Sequence, residues 1–421
     1  MKSGMKKCLL HVTGLFAFLF AAGCQSSPLE LAPLESGGSL EAVELGPLRQ
    51  ILEGFAADGG YSGSVALVWQ AGELRMLEAF GDVGPQSTES MGVDSIFRIF
   101  SMTKAITSVA ALSFVEDGRL KLDDPVSNYI PEFAGAQVAE FDDEGKILRV
   151  REATREILIS DLMSHTSGLT YGLFDTTELA SRYVAAQVAR SGESALQMSR
   201  RLAELPLAFD PGSAWLYSRS TDVLGAVLEV IDGQSLQLIF EERILRPLAM
   251  HDTAFYVPIE KLDRLAKLTS RKGNSRSLEL WKLPVPAEAP MNCSGGGGLY
   301  STARDYLRFC EMLIGEGTRD GVRILNADSV ASLHQDRIEG LSRARMLGQR
   351  GFGLGLAVVT EESTGPLTGE VGSYHWSGYA GTSFFVDPAK DLIGIFMVQV
   401  RGDFSFMVAF RKGVYAALPL N

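Results

Sequence analysis

The chain has 421 residues, 46% of them hydrophobic and only 21% charged, which places it among globular proteins and excludes intrinsic disorder. Its formal charge is −12, and the first 23 residues hold three lysines and no acid, so the remainder carries 36 basic and 51 acidic residues, or −15. That balance argues against nucleic-acid binding.

Lys2, Lys6 and Lys7 precede an apolar run, Cys8 to Ala22, that is too short for a membrane span. The run ends in Ala21-Ala22-Gly23-Cys24 and resembles a bacterial lipoprotein signal, with Cys24 as the acylated first residue of the mature chain. A plain secretory signal cleaved near Gly23 is the alternative. Residues 1–23 are therefore expected to be a signal and 24–39, rich in Ser, Pro and Glu, a tether. The protein would then be exported to the cell envelope and held on a membrane by its lipid. Export leaves Cys293 and Cys310 in the body, either as one bridge or as two buried thiols.

Leu40 to Ala57 has apolar residues at helical spacing and stops at Gly59-Gly60. Ser64–Trp69 and Leu74–Phe80 read as a hairpin around Gln70-Ala71-Gly72-Glu73. Phe97 to Glu116 is a long helical pattern. From there to about Pro290 loops alternate with helices such as Leu179–Arg190 and Asp222–Ile231. Strands return at Leu354–Thr360, Thr382–Val386 and Ile393–Val400, and a helix over Ser405–Leu418 closes the chain. Strands at both ends around a helical middle predict an α+β fold, one antiparallel sheet built from the two termini with helices packed on it. The catalytic domain is expected over 40–421, with a sheet sub-region at about 40–115 and 295–421 and a helical one at about 116–294.

The histidines that remain after export (165, 251, 334 and 375) are dispersed, and no His-Glu-x-x-His or Cys-x-x-Cys occurs; no metal or other cofactor is expected. There is no phosphate loop and no Gly-x-Ser-x-Gly elbow. What stands out is Ser101-Met102-Thr103-Lys104 at the start of a helix. Three residues apart on a helix, Ser and Lys share a face, and a lysine in a dry pocket can take the proton of an otherwise weak serine nucleophile. The helix N-terminus favours a developing oxyanion. Alone the motif is weak, because Ser3-Gly4-Met5-Lys6 matches it too, and an isolated Ser-x-x-Lys is usually a helix start with a solvated lysine.

Two further segments alter that balance. Tyr217-Ser218 stands just before a helix, and Gly372-Ser373-Tyr374-His375-Trp376-Ser377-Gly378-Tyr379 leads into a strand. Singly, Tyr217 and Trp376 are packed aromatics. In order with Ser101 they form the three-part pattern of serine β-lactamases and penicillin-binding proteins. The chain resembles the class C β-lactamase-like serine hydrolases, and among them the family VIII carboxylesterases, over about residues 45–420. Leu162 to Leu169 (LMSHTSGL), Ser294 to Tyr306 (SGGGGLYSTARDY) and Phe384 to Pro388 (FFVDP) add to the resemblance.

The resemblance implies a β-lactamase/penicillin-binding-protein-like fold with Ser101 as nucleophile, Lys104 and Tyr217 as a coupled base pair, and backbone N–H groups of Ser101 and Tyr379 as the oxyanion site. Trp376, Ser377 and Gly378 would line the substrate edge. β-Lactamases carry Asn two residues after the tyrosine and Lys-Thr-Gly on the strand; this chain has Arg219 and Trp376-Ser377-Gly378. Losing that lysine removes a carboxylate-binding cation, and a Trp offers apolar area to a neutral ester. His375 and His165 read as structural, His165 as a loop-ordering residue satisfied by backbone. The expected function is hydrolysis of short-chain acyl esters through an acyl-enzyme. A β-lactamase or D-alanyl-D-alanine peptidase is the alternative, and a silent binding module on the same fold is a third reading.

Overall fold

The computed structural model describes residues 44–418 except 174–175, 189, 191, 274–276, 345–346, 366 and 368. The expected signal and tether, with Cys24, lie outside the described residues. The first helix, α1, runs Gly46–Ala57. The hairpin follows as β1 (Gly63–Gln70) and β2 (Glu73–Gly81), joined by Ala71 at φ 52° and Gly72 at φ 82°. Two successive left-handed residues are what a tight hairpin turn requires, because their twist matches that of the strands.

Five strands come from the other end of the chain: β3 (Gly351–Phe352), β4 (Ala357–Val358), β5 (Tyr374–Ser377), β6 (Ser383–Asp387) and β7 (Leu392–Val398). They assemble with the hairpin in the order β3-β4-β5-β6-β7-β1-β2, so the two termini build one antiparallel sheet as the sequence pattern predicts. Pairing of β1 with β7, from Ser64 opposite Val398 to Gln70 opposite Leu392, closes the chain ends on each other.

The central strands are apolar at consecutive positions because both faces are covered. On β1, Val65 and Leu67 join the large core, while Ala66 and Val68 join a second one; on β7, Ile393, Ile395 and Met397 alternate with Leu392, Phe396 and Val398 in the same way. The second core is roofed by α1 and by the last helix, through Leu48, Leu52, Phe406, Phe410 and Val414. The large core holds α2 (Thr103–Glu116), whose residues from Thr103 to Phe114 are all buried, then α3 (Ile159–Ser164), α4 (Ser220–Asp232) and α5 (Ala303–Ile314). The last helix, α6, is Ser405–Ala417.

Two expectations are corrected. Phe97 to Glu116 is not one helix: Phe97–Arg98 pairs as a short strand with Tyr300–Ser301, a 3₁₀ turn follows at Phe100–Met102, and α2 begins at Thr103. A pattern of period 3.6 does not register that Phe97 and Arg98 meet a partner some 200 residues away. The middle of the chain is also not purely helical. It holds the hairpins Gln137–Phe141/Ile147–Glu152 and Thr269–Arg271/Leu278–Leu280, and the helix expected over Leu179–Arg190 spans Glu178–Ala185, with Gln187 in a left-handed conformation just beyond it.

Candidate active site

Ser101 lies in the 3₁₀ turn that feeds α2, half-buried, after Phe100 at φ 45°. A bulky residue held in that region costs about 1–3 kcal/mol, and such strain concentrates where a side chain must be aimed. One turn on, Lys104 is 1% exposed. Its Nζ lies 3.4 Å from Ser101 Oγ, donates to Tyr171 Oη at 3.0 Å and to the Gly296 carbonyl at 2.5 Å, and sits 4.7 Å from the centre of the Tyr217 ring. Tyr217, more than a hundred residues away in sequence, is thus brought to Ser101 and Lys104.

Asp222, in the first turn of α4 and 2% exposed, organises the far wall. Its Oδ1 accepts from Ser294 Oγ at 2.6 Å and from the Gly296 N–H at 3.0 Å. A Cβ at Gly296 would stand 2.9 Å from the carboxylate, so the glycine is what lets this loop close on Asp222 and offer its carbonyl to Lys104. Burial alone disfavours the Lys104 ammonium, but Tyr171, Tyr217 and Asp222 together outweigh it and hold the amine's pKa above its ordinary value. Burial pushes Tyr171 up to about 12, against the pull of Lys104. His165 is driven well below the usual imidazole range by burial and by Lys104. Its Nδ1 is 3.2 Å from Ser218 Oγ and its ring packs 4.9 Å from that of Tyr217, so its partner is a side-chain hydroxyl beside the tyrosine rather than backbone.

β5 supplies the other wall. Trp376 is 9% exposed and packs 5.3 Å from Tyr217 and from Phe352. Alternation along the strand puts His375 on the opposite face, opposite Phe385 of the second core. Ser377 ends the strand and Gly378 follows. A Cβ on Gly378 would overlap the Ile99 carbonyl and Thr382 Oγ1, so the glycine lets the strand end dock on the segment just before Ser101. Tyr379, in the turn beyond, meets Phe100 edge-on at 6.3 Å, and Trp281 stacks on Phe100 at 6.1 Å. Cys293 and Cys310 are buried free thiols.

Three contributors were not singled out from sequence: Tyr171, Asp222 and the Gly296 carbonyl. Gly296 lies inside the glycine run and Asp222 opens a predicted helix, whereas Tyr171 stands two residues beyond the Leu162–Leu169 motif, and nothing local marks any of the three as a neighbour of Lys104.

The beta-lactamase family model matches residues 48–415. The chain belongs to the beta-lactamase family. Within that family it is 39% identical to Protein Rv1367c of Mycobacterium tuberculosis over 357 residues, 82% of this chain and 88% of that one. It is 29% identical to Esterase EstB of Burkholderia gladioli over 374 residues, 84% of this chain and 91% of the other. Among solved structures, EstCE1, described as a hydrolase with promiscuous acyltransferase activity, superposes with a TM-score of 0.74 at 26% identity, covering 89% of this chain and 99% of its own. The chain is a serine hydrolase of the beta-lactamase fold, related to esterases and acyltransferases.

Proposed function

We propose that this beta-lactamase-family protein is a carboxylesterase that cleaves short-chain acyl esters through an acyl-enzyme on Ser101. The observation that carries the reading is the buried Lys104 amine, which reaches Ser101 Oγ and the face of Tyr217 at once. Lys104 and Tyr217 act as one coupled base, the amine and the phenolic oxygen together holding one proton fewer than their full complement, and so take the proton of Ser101. Ser101 Oγ then bonds to the ester carbonyl carbon. The oxyanion is held by the N–H groups of Ser101 and Tyr379, each such donor lowering the barrier by roughly 3 to 4 kcal/mol. Collapse breaks the bond to the alcohol oxygen, which takes the proton back from the Lys104–Tyr217 pair. Water repeats the sequence and releases the acid.

Trp376, standing where β-lactamases present a lysine, forms with Phe352 an apolar wall at this edge of the site, which supports an ester over a β-lactam, whose carboxylate that lysine would hold. Purified protein lacking residues 1–23 should hydrolyse p-nitrophenyl butyrate, and Ser101→Ala should abolish the reaction and labelling by a fluorophosphonate; turnover retained in the variant refutes the mechanism. Faster turnover of a chromogenic cephalosporin or a D-Ala-D-Ala peptide on the same preparation would favour the β-lactamase or peptidase alternative.

The same reading has the mature chain lipidated on Cys24 and tethered at the bacterial cell envelope. Its support is the basic head, apolar run and small residues before Cys24. An unmodified N-terminus in mass spectra of membrane fractions would sink it.

A further inference from the structure

Beside the proposed catalytic centre lies a cavity of about 460 Å³ whose wall includes Tyr171, Leu173, Tyr183, Val184, Arg190 and Arg219. It adjoins the centre directly, since Tyr171 is also the phenol that accepts from Lys104 at 3.0 Å. Arg219 occupies the position, two residues after the tyrosine, where β-lactamases have asparagine. Its guanidinium lies over the Tyr171 ring at 5.2 Å, and its ion-pair contact with Asp222 is long at 3.5 Å. Among the described residues its Nε is buried without an acceptor. A buried N–H of a charged group left without a partner is costly, and such groups in native proteins are normally satisfied.

The charges point the same way. Asp222 also accepts from Ser294 and from the Gly296 N–H, so Arg219 is only partly answered at the inner end of the cavity, and the exposed Arg190 adds a positive charge at its rim. This happens in a chain whose net charge is −12. Between the cations the wall carries Leu173, 67% exposed, and Val184, 52% exposed, beside Gln187. An apolar stretch ending in an under-satisfied guanidinium suits an apolar spacer that ends in an anion.

From this geometry we infer that the cavity is a substrate subsite for esters carrying a carboxylate, with Arg219 as the residue that receives it. The inference rests on the ester-hydrolase reading above and narrows its substrate class to the monoanionic half-esters of dicarboxylic acids. The carboxylate belongs to the acyl part, the spacer lies along Leu173 and Val184, and the scissile carbonyl reaches Ser101.

The test compares kcat/KM for p-nitrophenyl butyrate, mono-p-nitrophenyl glutarate and 5-butyryloxy-2-nitrobenzoate, which carry no carboxylate, one on the acyl side and one on the alcohol side. The glutarate ester should be preferred over the butyrate by about 10- to 100-fold, the range a charge-assisted hydrogen bond supplies. Arg219→Gln should erase that preference mainly through KM, and Arg219→Lys should restore part of it. Preference for the nitrobenzoate instead assigns the subsite to the alcohol and overturns the acyl placement. Equal use of all three by wild type, or an equal loss on all three in Arg219→Gln, overturns the subsite altogether. If wild type turns over none of them, the hydrolase reading fails separately, and calorimetric titration with glutarate then decides the subsite. Binding weakened at least about tenfold in a folded Arg219→Gln protein supports it, and identical or absent binding refutes it.

Discussion

Strand β5 has a buried cation on each side, and although burial disfavours the charge of both, their pKa values move in opposite directions. On the Trp376 side, Lys104 is held charged because Tyr171, Tyr217 and Asp222 surround it. On the His375 side, Arg411 of α6 is 3% exposed and its pKa is lowered, first by burial, against the smaller pull of Tyr415 and Asp387. Its Nη2 reaches Ser373 Oγ at 3.3 Å, Tyr415 Oη donates to Asp387 Oδ2 at 2.5 Å, and Arg411 Nε, His375 Nδ1 and Asp387 Oδ1 find no partner among the described residues. Low dielectric is common to both clusters; the density of acceptors and counter-charge around the cation differs. The first cluster borders a half-buried serine, and the second is closed under the terminal helix, so one is arranged for chemistry and the other ties α6 to the sheet.

Substitution should separate the two clusters cleanly. Lys104→Met is expected to lower kcat for an ester by at least about 10³-fold, within the range set by losing a positioned proton-handling group. Tyr217→Phe should cost about 10²- to 10³-fold with little change in thermal midpoint. Arg411→Met should do the reverse, destabilising the fold by about 3 kcal/mol in urea titrations, because Asp387 loses a buried positive charge that interacts with it, while activity per folded molecule stays level. A large kcat loss in Arg411→Met would break the comparison. Gly378→Ala falls between, lowering both kcat/KM and the midpoint, since its Cβ must displace the Ile99 carbonyl or Thr382.

The smallest effect is on pH. His165 and His375, one beside each cluster, both have pKa values far below 6.5, with burial the leading cause. For a base held neutral in the fold, stability is present above the unfolded pKa and is lost as pH falls below it. Urea midpoints should therefore decline below about pH 6.5, with a limiting slope of about 1.4 kcal/mol per pH unit for each histidine. Lys104, shifted upward, gives the opposite sign: its contribution is present through neutral pH and is lost only in strong alkali. A double His165→Gln, His375→Gln variant that keeps the full acid-side slope would remove these histidines as its source.

Much of the architecture was legible because it is periodic. The hairpin, the C-terminal strands and α6 follow from alternation and turn residues, and assembling the sheet from both chain ends follows from where those strands fall. Ser101 and Lys104 were legible for a similar reason, since three residues along a helix is a local distance. Tyr217 and Trp376 needed the resemblance, because one aromatic residue has no pattern of its own.

What the tertiary structure alone decided is how that lysine is held. Tyr171 is 67 residues from Lys104 and Gly296 is 192, and contacts at such separations leave no trace in local hydropathy. The same holds for Arg219, which in sequence was a departure from a motif and in the fold is a guanidinium with an unanswered N–H beside a cavity. Periodicity records which face of an element is buried. Which polar atoms meet inside that burial depends on how loops far apart in the chain close on one another, and that is where the electrostatics of Lys104 and Arg219 are set.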